Sequence, residues 1–172
     1  MESKAKLLGR PLHPMLIVFP MGLLIVSLFF DVLHAITGSA AWAQMAYYLI
    51  VLGVILGVVA AVPGVVDWMA IPRRTRARRV AAFHAIISVT VLVLFAITWG
   101  MRLTDPFAPE TTAVLVSVLG VALLLVGAWL GGELVDRLGV GVDDGANLNA
   151  PNALFQRKVF ETGPGSPRRT ET

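Results

Sequence analysis

Four residues of this chain are suited to chemistry: His13 in "RPLHPMLIVFP", Asp67 in "PGVVDWMAIP", His84 in "AAFHAII" and Glu133 in "GGELVD". An imidazole can ligate a haem iron or a divalent metal through one ring nitrogen. A carboxylate beside it can accept the other ring N–H, fixing the tautomer, or balance the charge of the metal. The 172 residues contain no cysteine, so disulfides, covalent c-type haem, thiolate zinc and cysteine-ligated iron–sulfur clusters are outside their reach. Histidine, carboxylate and backbone remain.

What must position these groups is apolar. The chain is 56% hydrophobic and only 15% charged, where a soluble domain is nearer one quarter charged. Four stretches, Met15–Ile36, Ala46–Met69, Val80–Met101 and Thr112–Val135, reach the roughly 20 residues a helix needs to cross a bilayer. Lys4, Lys6 and Arg10 before the first stretch mimic a signal peptide, but that stretch is too long for one and reads as a retained span. Short connections between spans force antiparallel neighbours. The expected fold is therefore all-α, an integral membrane four-helix bundle running up-down-up-down. Residues 1–10 form a short N-terminus, 11–142 the four-helix domain, and 143–172 a largely disordered tail rich in Asp, Asn, Gly and Pro.

Thirteen of the fourteen Lys and Arg fall before span one, between spans two and three, or after span four. Only Arg102 is assigned to a loop on the other side. This asymmetry predicts both termini in the cytoplasm, in a bacterial inner membrane. The run "RRTRARR" then reads as a topology determinant touching lipid headgroups, not as a nucleic-acid site.

Helical spacing sorts the polar residues into faces. His13, Pro20, Ser27, Asp31 and His34 fall at intervals of 7, 7, 4 and 3, and Gly53, Gly57, Ala60, Gly64 and Asp67 at 4, 3, 4 and 3. In lipid a polar stripe must turn inward. Asp31 and His34 read as a local structural pair, and the four tryptophans as an interfacial belt. Each half opens on a histidine and closes its second helix on small residues and an acid, Asp67 or Glu133, which suggests a parallel repeat.

His13, Asp67, His84 and Glu133 should share one depth, within a turn or two of one boundary. Pro14 starts a helix well, and Pro20, Pro63 and Gly131-Gly132 permit kinks that would open a pocket there. The expectation is a cluster in which His13 faces His84, with ring centres within about 12 Å, and Asp67 accepts an imidazole N–H. Three readings stand open. One is a b-type haem between His13 and His84, with Asp67 and Glu133 orienting them. Another is a metal or proton site built from the same four residues, and a third is a structural or partner subunit, including a homo-oligomer, without chemistry.

"HPMLIVFP", "PGVVDWMAIPRRTRARR", the histidine of "FHAI" and "GGELVDRLGVGV" together resemble the bacterial membrane family of domain of unknown function two-two-three-one, over roughly residues 10–142. That family has no established activity. Some relatives carry a similar module ahead of a Rieske iron–sulfur domain, which implies a link to electron transfer and a redox-protein partner. Several have histidine where this chain has Glu133. These 172 residues, lacking cysteine, are expected not to include a Rieske domain, so any redox role would need a cofactor or a partner.

Overall fold

The computed structural model describes residues 1–150 and 152–155. Four helices dominate: α1 (Leu12–Thr37), α2 (Ala40–Ala70), α3 (Arg76–Met101) and α4 (Thr111–Gly132), the last continuing into a π-helical turn, Glu133–Arg137. All four are long and apolar enough to cross a membrane. The chain is a multi-pass integral membrane protein with an all-α core. A two-residue hairpin, β1 (Lys6–Leu7) and β2 (Arg10–Pro11), precedes α1. The expected disordered tail falls mostly on residues outside those described.

Helices α2 and α3 start earlier than the apolar stretches do, at Ala40 and Arg76. Hydropathy marks what lipid can cover, whereas a helix runs on until its backbone is capped. At α3 the cap is Thr75, whose hydroxyl accepts the Arg78 N–H at 3.1 Å. The α1–α2 turn depends on Gly38 at φ 67°, a left-handed conformation that glycine adopts without strain, and its N–H closes on the His34 carbonyl at 2.8 Å.

Packing is by hairpins, α1 chiefly on α2 and α3 chiefly on α4. The hairpins repeat. The buried positions of α1, Pro20, Leu24, Ser27 and Asp31, recur 71 residues later as Val91, Phe95, Thr98 and Arg102. Those of α2, Ala46, Ile50, Gly53, Gly57 and Ala60, recur 67 residues later as Ala113, Ser117, Gly120, Leu124 and Gly127. Even the close contacts correspond. A Cβ at Gly53 would fall 2.6 Å from Leu24, and one at Gly120 would fall 2.7 Å from Phe95. Glycine is required at both because a large side chain from the facing helix fills the space.

Asp31 and Arg102 correct two expectations. Arg102 does not lie in an open loop but caps α3 with no exposed side chain, and it grips Asp31, likewise fully buried, through two 2.7 Å bonds, Nη1 to Oδ1 and Nη2 to Oδ2. Asp31 therefore pairs across the bundle and not with His34, whose Nδ1 instead meets the Ser39 carbonyl at 2.9 Å. A carboxylate out of water needs a permanent positive charge beside it, and the guanidinium fork supplies one while matching both its oxygens.

Candidate functional site

His13 sits in the first turn of α1 and His84 two turns into α3, at equivalent places in the two hairpins. Their rings meet edge to face, with centroids 6.3 Å apart and planes at 87°. Each ring is tied down in the same way: His13 Nδ1 lies 2.8 Å from the Ala60 carbonyl, and His84 Nδ1 lies 2.9 Å from the Gly127 carbonyl. A carbonyl only accepts, so each neutral imidazole carries its proton on Nδ1 and leaves the Nε2 lone pair free. Four residues beyond each carbonyl is a glycine at the ring: a Cβ at Gly64 would lie 2.9 Å from His13 Nδ1, and one at Gly131 would lie 3.4 Å from His84 Cε1.

The two imidazoles line a cavity of about 440 Å³ between the hairpins, within the size range of small-molecule and cofactor sites. Its wall is mostly aliphatic and glycine, with Leu24 and Val91 at its deep end. Trp68, expected in the interfacial belt, lines it as well. The ring of Trp68 lies under the Arg78 guanidinium, 4.0 Å from ring centre to Cζ. Arg78 also donates to the Trp68 and Ile71 carbonyls, which close the end of α2. Arg78 thus has a structural task beyond the topology role expected of the arginine run.

The carboxylates do not join the imidazoles. Asp67 borders the cavity, but its oxygens accept from the Ser3 hydroxyl at 2.8 Å, the Lys4 N–H at 2.7 Å and the Ala5 N–H at 3.2 Å. It fastens residues 3–5 across the histidine end of the bundle. Lys6 secures the same strap further along, pairing with Asp143 at 2.6 Å and Glu2 at 3.0 Å. Glu133 turns to Arg76 at 2.6 Å and does not line the cavity. The orienting task expected of Asp67 and Glu133 is filled by backbone carbonyls. Nor do the two acids occupy equivalent places: 67 positions after Asp67 stands Leu134.

Among the described residues no group of three or more His, Asp or Glu could hold a metal ion. The site supplies two nitrogen ligands and no third. The strap, the carbonyl anchors and the role of Arg102 were not legible in the sequence. The 71-residue spacing shared by the pairs His13/His84 and Asp31/Arg102 could have revealed the last.

A family model described as "Predicted membrane protein (DUF2231)" matches residues 9–144, from the turn of the β-hairpin to the loop beyond the π-helical segment. The chain belongs to this family. No curated protein and no solved structure matches it. Membership in DUF2231 agrees with four packed spans and assigns no chemistry to the histidine pair.

Proposed function

We propose that His13 and His84 would hold a b-type haem between the hairpins, in a membrane subunit that passes single electrons. The observation that carries this reading is the 6.3 Å separation of two imidazoles whose Nδ1 atoms are both committed to carbonyls. Imidazole nitrogens bind metals at about 2.0–2.1 Å, so two rings this close could both reach one metal centre. The Nδ1–H to carbonyl bond is also the support that metal-bound histidine ordinarily receives, and it raises ligand basicity.

Ligand count favours haem over a bare ion. A tetrahedral zinc site asks the protein for three or four ligands, whereas a haem could be held by His13 and His84 alone. When bound, a haem with two imidazole ligands supplies one-electron transfer. The chain's own part is to hold both imidazoles in place through their carbonyl bonds, leave the rings room through Gly64 and Gly131, and cover the histidine end with the strap. The basic asymmetry supports a strap facing the bacterial cytoplasm, where a separate redox protein would exchange the electron.

The test is the absorbance of protein purified from cells supplied with haem precursor. A Soret band at one haem per chain is expected, lost in both His13→Ala and His84→Ala and kept in Asp67→Asn. Absence of the band in wild type, or a band that survives both histidine substitutions, refutes the proposal.

A further inference from the structure

The ion pair at the other end of the bundle stands 18 residues along α1 from His13, about 27 Å at 1.5 Å per residue. Its two members occupy equivalent positions of the two hairpins. Every other layer at the axis is nearly self-compatible: His13 meets His84, and Leu24, Ser27 and Pro20 have Phe95, Thr98 and Val91 as counterparts. Two α1–α2 hairpins from different chains could bury almost the same layers against each other. Only the layer of Asp31 and Arg102 differs in kind, with opposite charges fully buried and joined by two 2.7 Å bonds.

We propose that Asp31 and Arg102 are the recognition element by which the two hairpins identify one another. Pairing like hairpins would bury two carboxylates or two guanidiniums face to face with little water to screen them. Pairing unlike hairpins gives a bidentate bond, extended by Ser117, whose hydroxyl lies 3.4 Å from Arg102 Nη2. Apolar packing in a membrane is weakly selective, because lipid solvates a leucine about as well as another leucine does. The one layer where a mismatch is costly therefore decides the match. Nothing in this inference depends on what the cavity binds.

The test uses the 172-residue chain, which contains no cysteine, carrying His13→Cys and His84→Cys so that a short bifunctional thiol reagent reports whether the hairpins have met. In that background Asp31→Arg alone, which places guanidiniums on both hairpins, should lower the intrachain cross-link at least about tenfold, and Arg102→Asp alone should do the same. The exchange Asp31→Arg with Arg102→Asp should restore it to within about twofold, since the fork and carboxylate merely trade helices. The third arm co-expresses the two single variants, one carrying only His13→Cys and the other only His84→Cys, and expects a cross-link between chains. Single variants that cross-link like the parent, an exchange that fails to restore, or co-expressed chains that remain unlinked would each overturn the proposal.

Discussion

Gly64 and Gly131 occupy equivalent places, yet alanine should act on them in opposite directions. At Gly64 the new Cβ would fall 2.9 Å from His13 Nδ1 and 3.0 Å from its Cε1, closer than real Cβ contacts allow. The ring must move, and its 2.8 Å bond to Ala60 is the restraint it moves against. Overpacking of this kind costs about 1–3 kcal/mol. Loss of the carbonyl bond adds about 0.5–1.5 kcal/mol, and the better helix propensity of alanine offsets about 0.8–1 kcal/mol. Gly64→Ala should therefore destabilise by about 2 kcal/mol. At Gly131 the nearest atom, His84 Cε1, is 3.4 Å away, an ordinary contact. There the propensity gain is unopposed, and Gly131→Ala should be neutral or more stable by up to about 1 kcal/mol. Equilibrium unfolding in mixed detergent micelles measures both. Nitrogen-15 spectra of the imidazoles would show the His13 Nδ1–H resonance displaced in Gly64→Ala alone. Equal effects of the two substitutions, or an unmoved His13 resonance in Gly64→Ala, would refute the reasoning.

Three further outcomes follow from the strap and the charges. Asp67→Ala should free residues 3–5, so that the Lys4 and Ala5 amides exchange with solvent at unprotected rates while amides in the middle of the four helices stay protected; unchanged protection would remove Asp67 as the fastening. The Lys6 contacts should hold only over a window of pH. The Asp143 and Glu2 carboxylates raise the Lys6 ammonium above its ordinary 10.5, so its contribution is complete below that value and is lost as pH rises through the raised one. The Lys6 hydrogen bond, aided by an Asp144 backbone contact, lowers Glu2 below its ordinary 4.5, so its contribution is present above that value and fades as pH falls through the lowered one. The part of strap protection that Lys6 contributes, measured by exchange as the difference between wild type and Lys6→Met, should thus be flat from about pH 5 to 10 and decline on both sides. A reporter fused at Thr172 should be active only if it works in the cytoplasm, and neutralising Arg73, Arg74, Arg76, Arg78 and Arg79 together should reduce correctly oriented protein. Periplasmic activity of the wild-type fusion would reverse the topology.

Four spans, their antiparallel order and the inward turn of Ser27 and Asp31 are properties of the sequence alone, because lipid leaves an apolar helix few alternatives and forbids an outward polar stripe. Matching depth at one boundary likewise follows from rise per residue, and it is what brings His13 and His84 to one layer. What the tertiary structure decided is partnership. Hydropathy treats Arg102 as a loop charge, and only the meeting of the two hairpins makes it the counter-ion of Asp31. Spacing places Asp67 beside the histidines, but a carboxylate takes the strongest donors within reach, and a hydroxyl and two backbone N–H groups folded back from residues 3–5 outcompete an imidazole. The imidazoles in turn bond to the carbonyls of Ala60 and Gly127, groups every residue owns and no sequence pattern marks. Side-chain type constrains which chemistry is available, while the choice among competing donors and acceptors depends on angles and distances that exist only once the helices have met.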